Sequence, residues 1–212
     1  MMKNKSKLEN IRQTTKSVYE RNAEAWDHLR SKNLYEKKWL DQFIGSIENP
    51  TYLLDLGCGT GSPIADYFIG KGFKVCGLDY APAMIEIAKK NHSESNWIVD
   101  DIRSLELDEI YCGIYSWDAF FHLSQEEQRK TLPRICALIK KGGSILLTVG
   151  HQAGAVTGTV AGEKVFHDSL SFDDYSSILT KSGFKKIRFY PEDQEAKGRS
   201  ILLAYDRQKS GL

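Results

Sequence analysis

Tyr52 to Leu56 reads as a short apolar strand, and it runs directly into Gly57-Cys58-Gly59-Thr60-Gly61, after which a helical pattern begins. No other segment restricts the fold of this chain as strongly. Glycine is needed where the main chain bends sharply, and where another molecule must lie against the backbone with no Cβ between them. A strand, a glycine turn and a helix in succession belong to open sheets flanked by helices, whose ligands sit at the carboxyl ends of the strands. Glycines also occupy tight turns for structural reasons alone, so a ligand role needs a second feature at the strand ends. Asp79 supplies it. A second apolar strand, Phe73 to Leu78, ends in this residue, 18 positions after Gly61. A carboxylate there can accept both hydroxyls of a ribose lying across the sheet edge.

The rest of the chain alternates in the same manner. Ser62 is the expected N-cap of the helix after the glycines, with Pro63 at its first position, and Pro82 opens a further helix carrying Met84, Ile85 and Ile87. Trp97 to Val99 and Gly113 to Ser116 read as the third and fourth strands. Ser124 with Glu127 forms a capping box for a helix expected to reach Lys141, with Pro133 inside it and Gly142-Gly143 ending it. Ser144 to Val149 is the fifth strand. Ser171 caps a helix through Leu179. Phe184 to Tyr190 and Ser200 to Tyr205, joined without room for a helix, form an antiparallel pair. The expectation is an open, doubly wound α/β fold with a mostly parallel seven-stranded sheet and an antiparallel last strand. Ahead of it, residues 8–30 read as one amphipathic helix with Tyr19 and Trp26 on its edge, and Trp39 to Ile47 as a second. Residues 150–168 read as a polar, glycine-rich loop.

Composition narrows the function classes. The 212 residues suffice for one domain, and 29 basic against 28 acidic residues give a net charge of +1, which argues against a nucleic-acid partner. Cys58, Cys76, Cys112 and Cys136 form no CxxC pair, so neither a metal site nor a dithiol motif is expected. The N-terminus lacks an apolar signal segment and no apolar run approaches membrane-spanning length, which places the expected location in the cytoplasm. A dinucleotide is disfavoured because the glycines are spaced G-x-G-x-G, whereas the dinucleotide fingerprint is G-x-G-x-x-G. Pro63 also removes an N–H from the helix start where a pyrophosphate would need donors.

Asp55-Leu56-Gly57-Cys58-Gly59-Thr60-Gly61, with Gly77-Leu78-Asp79 downstream, resembles the first two motifs of class I S-adenosylmethionine-dependent methyltransferases of the small-molecule type. Asp101-Ile102-Arg103 after the third strand, Trp117 to Leu123 after the fourth, and Lys140 to Gly143 before the fifth fit the same pattern. The resemblance covers roughly residues 50–206. It implies one methyltransferase domain over residues 1–212, with 8–48 as a helical N-terminal cap and 50–206 as the catalytic core. It further implies that Gly57, Gly59 and Gly61, below Asp55, line the methionine and ribose of the donor. Asp79 would hold the ribose, Tyr80 and Met84 would pack on adenine, Ile102 would meet its ring and Asp101 its amino group. Asp100 competes with Asp101 for that last role. The chain departs from the pattern at the start of the fourth strand, where Tyr111-Cys112-Gly113 replaces the usual acid.

Methyl transfer from a sulfonium needs positioning and dehydration more than a nucleophile on the protein, and a base only where the acceptor must lose a proton. His122, just past the fourth strand, is the candidate base, since histidine ordinarily titrates near neutrality. The competing role for His122 is a hydrogen bond to a backbone group at a helix start. Trp117 and Phe121 are candidate walls of the donor and acceptor sites. His151 and His167, in the loop after the fifth strand, are candidate acceptor contacts, as are Tyr19 and Trp26, whose rings can face a sulfonium. Arg30 and Arg103 could pair with an acceptor carboxylate, although surface ion pairing suits either. The Asn/Asp-Pro-Pro-Tyr/Phe motif of amino-methylating DNA enzymes is absent; Ser116-Trp117-Asp118-Ala119 stands there, which favours a small-molecule acceptor. A donor-binding protein without turnover, a sensor or partner subunit, would share the same glycines and Asp79.

Overall fold

The computed structural model describes residues 2–208. In chain order its strands are β1 (Tyr52–Leu56), β2 (Lys74–Asp79), β3 (Asn96–Val99), β4 (Tyr111–Ser116), β5 (Ile139–Val149), β6 (Val156–Val160), β7 (Glu163–His167), β8 (Phe184–Asp193) and β9 (Arg199–Arg207). The helices are α1 (Met2–Arg21), α2 (Ala23–Leu29), α3 (Lys37–Gly45), α4 (Ile64–Gly70), α5 (Pro82–Asn91), α6 (Gln125–Ala137) and α7 (Phe172–Lys181).

Seven strands form one sheet in the order β3-β2-β1-β4-β5-β9-β8. β9 is inserted antiparallel between β5 and β8, and the other contacts are parallel. The central strands are apolar on both faces because both are covered. Leu54, Leu56 and Ile114 bury against Leu132 and Ile135 of α6 and Tyr175 and Leu179 of α7. Leu53 and Tyr115 bury on the opposite face against Trp39 and Phe43 of α3, Phe68 of α4 and Ile85 of α5. After β3 the chain returns to pair β4 with the other side of β1. The strand order therefore reverses between β1 and β4, which leaves a crevice at their carboxyl ends.

The structure amends several local expectations. Residues 8–30 are two helices, broken at Asn22, whose side-chain amide donates to Val18 O at 2.8 Å and to Glu163 Oε1 at 2.9 Å. α4 starts at Ile64 with Pro63 at its cap, and the Ser62 hydroxyl donates to Asp66 instead of capping the backbone. The Ser124–Glu127 capping box is present, yet α6 stops at Ala137 and not at Lys141. Ile139 already pairs with Tyr111, and Lys140 to Gly143 form an irregularity within β5 before pairing resumes at Ser144. The expected loop over residues 150–168 contains the β6–β7 hairpin, turned at Ala161 and Gly162, both in the left-handed region. That hairpin packs on α1 through Val18, Val160 and Val165. α3, grouped by sequence with the N-terminal cap, packs on the sheet. The cover over the crevice is α1 and α2, braced from outside by β6–β7.

Candidate functional site

The crevice between β1 and β4 opens into a cavity of about 280 Å³ roofed by α1 and α2. Its floor is the turn after β1. The Gly57 and Cys58 N–H groups both donate to Leu78 O, at 2.7 and 3.0 Å, and so fix the turn to the end of β2. Gly57 has φ +73° and Gly59 φ +54°, both left-handed. A Cβ on Gly57 would overlap that of Ala119, so this glycine is a packing requirement. A Cβ on Gly59 would meet only Trp26 Nε1, at 3.7 Å; the bare side of Gly59 fronts the cavity.

Asp79 stands beside that turn. Its Oδ1 accepts from Ala81 N at 2.9 Å and its Oδ2 from Gly59 N at 3.0 Å. Burial pushes its carboxyl up to about 6, opposed by those two N–H groups. A carboxylate has about four acceptor sites, so capacity remains on the cavity side. Burial pushes Asp55, at the end of β1, up to about 8, which leaves it neutral at pH 7.

Past β2 and β3 the wall is made by Tyr80, Met84 and Ile102, with Asp101 at its edge. Asp100 does not reach the cavity; its Oδ1 accepts from Asp101 N at 2.7 Å. Although burial would raise it, Asp101 is held below the ordinary carboxylate range by the guanidinium of Arg103, which lies along both its oxygens. Arg103 also donates to Glu127 Oε1 at 3.1 Å, and Arg12 of α1 donates to the same oxygen at 2.9 Å. One carboxylate thus ties the roof to the core. Arg30 is paired with Glu36, whose side chain is fully buried. Neither Arg30 nor Arg103 is left uncommitted toward an acceptor.

At the other end, His122 closes a 3₁₀ turn (Phe120–His122) after β4. Its Nδ1 lies 2.6 Å from Phe166 O and its Nε2 2.9 Å from the Tyr19 hydroxyl. A carbonyl can only accept, so Nδ1 carries the proton and Nε2 accepts from Tyr19. Burial, assisted by the neighbouring His167, pushes His122 down to about 3. Of the two roles considered for His122, the structure shows the hydrogen bond to a backbone group, Phe166 O, and both ring nitrogens are engaged. Tyr19 meets the Trp26 ring edge-on, with centroids 5.7 Å apart. Among the described residues, the buried Trp117 Nε1 and Tyr80 hydroxyl have no partner.

The cavity gathers Asp55, Gly57, Gly59, Gly61, Asp79, Tyr80, Met84, Asp101, Ile102 and Trp117, together with Tyr19, Trp26 and His122. It does not gather the other three candidates. Phe121 and His167 lie against each other, with centroids 4.4 Å apart, and against His122, so they back the wall without lining it. His151 is exposed in the loop after β5. Sequence reasoning gave no role to Arg12, Lys16 or Asp118, which all line the cavity. Arg12 and Lys16 are polar positions of a helix read as amphipathic, where charged side chains are expected to face water. Asp118 sits in the motif after β4, but its partner Arg199 is 81 positions away.

Comparison with known proteins agrees with this geometry. A family model described as a methyltransferase domain matches residues 53–143. Malonyl-[acyl-carrier protein] O-methyltransferase 1 of Ilyobacter polytropus is 29% identical over 133 residues, which are 60% of this chain and 48% of that protein. The chain therefore spans about half the length of that relative. An uncharacterized methyltransferase of Bacillus cytotoxicus is 26% identical over 161 residues, 71% of this chain and 76% of that one. Among solved structures, SAM-bound CalS10, an amino pentose methyltransferase from Micromonospora echinaspora, superposes with a TM-score of 0.67 at 17% identity. The superposition covers 87% of this chain and 95% of CalS10, a likeness of fold.

Proposed function

We propose that the chain is a methyltransferase of the class I fold and that it transfers the methyl group of S-adenosylmethionine to a small-molecule acceptor. The observation that carries this reading is the bare face of Gly59 beside Asp79, inside one roofed cavity. The donor set fits an adenosyl amino acid. Gly57, Gly59 and Gly61 would line its methionine and ribose, below the neutral Asp55. Asp79 would accept from the ribose hydroxyls. Tyr80, Met84 and Ile102 would flank the adenine, and Asp101 would accept from its amino group. Tyr19, Trp26 and Trp117 would surround the reacting end.

When bound, the donor supplies an electrophilic methyl group on a sulfonium, with a neutral thioether as the leaving group. The protein's contribution is to hold two reactants in line and exclude water. A ring face of Tyr19 or Trp26 would suit a cation, because aromatic rings attract positive charge across their faces. His122 orients the Tyr19 hydroxyl and does not take a proton, being neutral with both nitrogens occupied. Phe121 and His167 support it from behind.

Calorimetry and thermal melting with S-adenosylhomocysteine test the reading. At 100 times its dissociation constant a ligand adds about 2.7 kcal/mol, which raises the melting temperature of a domain this size by about 5–10 °C. No shift with S-adenosylhomocysteine and a shift with NAD would replace this reading by a nicotinamide-dependent one. Binding without transfer to any acceptor would leave a donor-binding protein without turnover.

A further inference from the structure

Among the charged groups that line the cavity, the donor reading gives no role to the Asp118 carboxylate. Asp118 follows β4 and has φ +58°, a left-handed conformation that is sterically unfavourable for a residue with a Cβ. Two long-range anchors hold it there. Its N–H donates to Thr148 Oγ1 of β5 at 2.7 Å, and its carboxylate receives the fork of Arg199 from β9, with Nε to Oδ1 at 2.8 Å and Nη2 to Oδ2 at 2.6 Å. Backbone strain that is retained by dedicated bonds in a cavity is a pointer to function. Asp118 lines the cavity between Trp117 and Ala119, just before the 3₁₀ turn that ends in His122, which puts it at the Tyr19–His122 end.

The other groups facing that end decide what it can hold. Arg12 and Arg103 share Glu127, and Arg30 is committed to Glu36. Lys16 lies over the Tyr80 ring, 5.7 Å from its centroid, at the Asp79 side. Around Tyr19, Trp26 and Trp117 there remain aromatic rings, a neutral histidine and the Asp118 carboxylate; Lys16, a cation of the cavity lining without an ion pair among the described residues, stands over Tyr80 instead. Such a wall disfavours a carboxylate or phosphate acceptor. A hydroxyl acceptor would need a base to remove its proton, whereas His122 Nε2 is occupied by Tyr19 and the Asp118 carboxylate is already paired with Arg199. An amine arriving uncharged needs no base.

We propose that Asp118 is the anchor of the methyl acceptor, taking a hydrogen bond from an N–H group, and that the acceptor is an amine; this rests on the methyl-transfer reading above. Arg199 occupies one side of the carboxylate, which leaves acceptor capacity toward the cavity. The nitrogen lone pair forms the N–C bond as the C–S bond breaks with its electron pair left on sulfur. The methylated ammonium then releases one proton to solvent.

The test measures transfer from radiolabelled S-adenosylmethionine to sets that share one skeleton: benzylamine, benzyl alcohol and benzoate, then cyclohexylamine, cyclohexanol and cyclohexanecarboxylate. Binding of S-adenosylhomocysteine is followed in parallel by calorimetry. Transfer is expected for the amines alone, with N-methyl products by mass spectrometry. Asp118→Asn, which tolerates the left-handed conformation, is expected to raise the amine KM at least tenfold with S-adenosylhomocysteine affinity within twofold of wild type. Asp118→Gly, which relieves the backbone, should shift KM equally and serves if the Asn variant does not fold. Transfer to the alcohols or acids but not the amines, or an amine KM unmoved in both variants, would overturn the proposal. S-adenosylhomocysteine binding with transfer to none of the amines would also overturn it while leaving the donor site standing. Absence of S-adenosylhomocysteine binding by the wild type overturns the donor reading itself.

Discussion

Gly59→Ala separates the donor site from the fold more cleanly than any other single change. A Cβ at Gly57 overlaps Ala119, and one at Gly61 meets the Trp97 ring at 2.8 Å, so substitutions there perturb packing and binding together. At Gly59 the added methyl meets only Trp26 Nε1, at an ordinary contact distance of 3.7 Å. What it costs the fold is the left-handed backbone, φ +54°, about 1–2 kcal/mol for an L residue. That lowers the melting temperature of a domain this size by about 2–8 °C. The methyl group projects into the cavity where the donor would lie on the main chain. The Gly59 N–H keeps its bond to Asp79, so the ribose acceptor stays in place. The expected result is a folded protein, slightly less stable, whose affinity for S-adenosylhomocysteine is reduced at least tenfold, about 1.4 kcal/mol or more. Circular dichroism melts of the ligand-free protein and calorimetric titrations of both proteins measure the two quantities separately. A melting temperature lowered as calculated with an unchanged dissociation constant would refute the reasoning, because no donor would then rest on Gly59.

Three other side chains of the cavity give measurable outcomes. Asp79 is pushed up to about 6, so the native state binds more protons than the unfolded chain between the ordinary carboxylate value and 6. Stability therefore falls as pH rises through that window, by roughly 3 kcal/mol from this carboxylate taken by itself. Asp79→Asn should flatten this slope in pH-dependent melts, whereas an identical slope in the variant would rule Asp79 out as its source. Affinity for S-adenosylhomocysteine should rise from pH 5 to pH 7 and then level off, as the ionised carboxylate becomes available to the ribose. With His122 pushed down to about 3, the rate of transfer should show no limb near pH 6.5, and His122→Ala should leave donor affinity within about twofold; a limb at 6–7 lost in that variant would restore His122 as the base. Arg12→Ala removes one of the two guanidinium contacts to Glu127. It should cost under about 1 kcal/mol of stability yet speed dissociation of S-adenosylhomocysteine several-fold in stopped-flow, and an unchanged off-rate would show that this tie does not hold the roof.

The parts of the site that were legible in the sequence are those built by the backbone at short range. Gly57, Gly59 and Asp79 could be named because a turn that bends left-handed beside a strand end needs glycine, and a buried carboxylate near it needs the N–H groups that the turn supplies. The sheet was legible for the same reason, since apolar strands separated by helices have few ways to pack. Asp101 could not be separated from Asp100 by counting, because both side chains accept from a backbone N–H and the distinction lies in which of the two lines the cavity. The end of α6 was missed because pairing of Ile139 with Tyr111 overrides the two glycines that ordinarily mark a helix end. The β6–β7 hairpin was hidden by its own composition. Thr157, Gly158 and Thr159 look like a loop until Val160 and Val165 are seen against Val18 of α1, a contact spanning more than 140 positions.

That division between legible and illegible parts also separates the rigid from the separable. The floor of the cavity is tied by backbone hydrogen bonds among buried residues, Gly57 and Cys58 to Leu78 and Gly59 to Asp79. Breaking any of them leaves a polar group unsatisfied in the interior, which is expensive. The roof is tied mainly by side chains: Arg12 to Glu127, Arg21 and Asn22 to Glu163, Thr60 to Asp27 and Tyr19 to His122. Most of these lie near the surface, where water replaces a lost partner and each pair contributes a fraction of a kcal/mol to about 1. A cavity that encloses a molecule as large as an adenosyl amino acid must also admit it and release its product. In this chain the elements held over the cavity mainly by side chains are α1 and α2, and the Tyr19 hydroxyl joins them to His122. Because the Tyr19 hydroxyl rests on His122 in the closed arrangement seen here, a mutation that loosens the roof is expected to slow transfer without touching the acceptor.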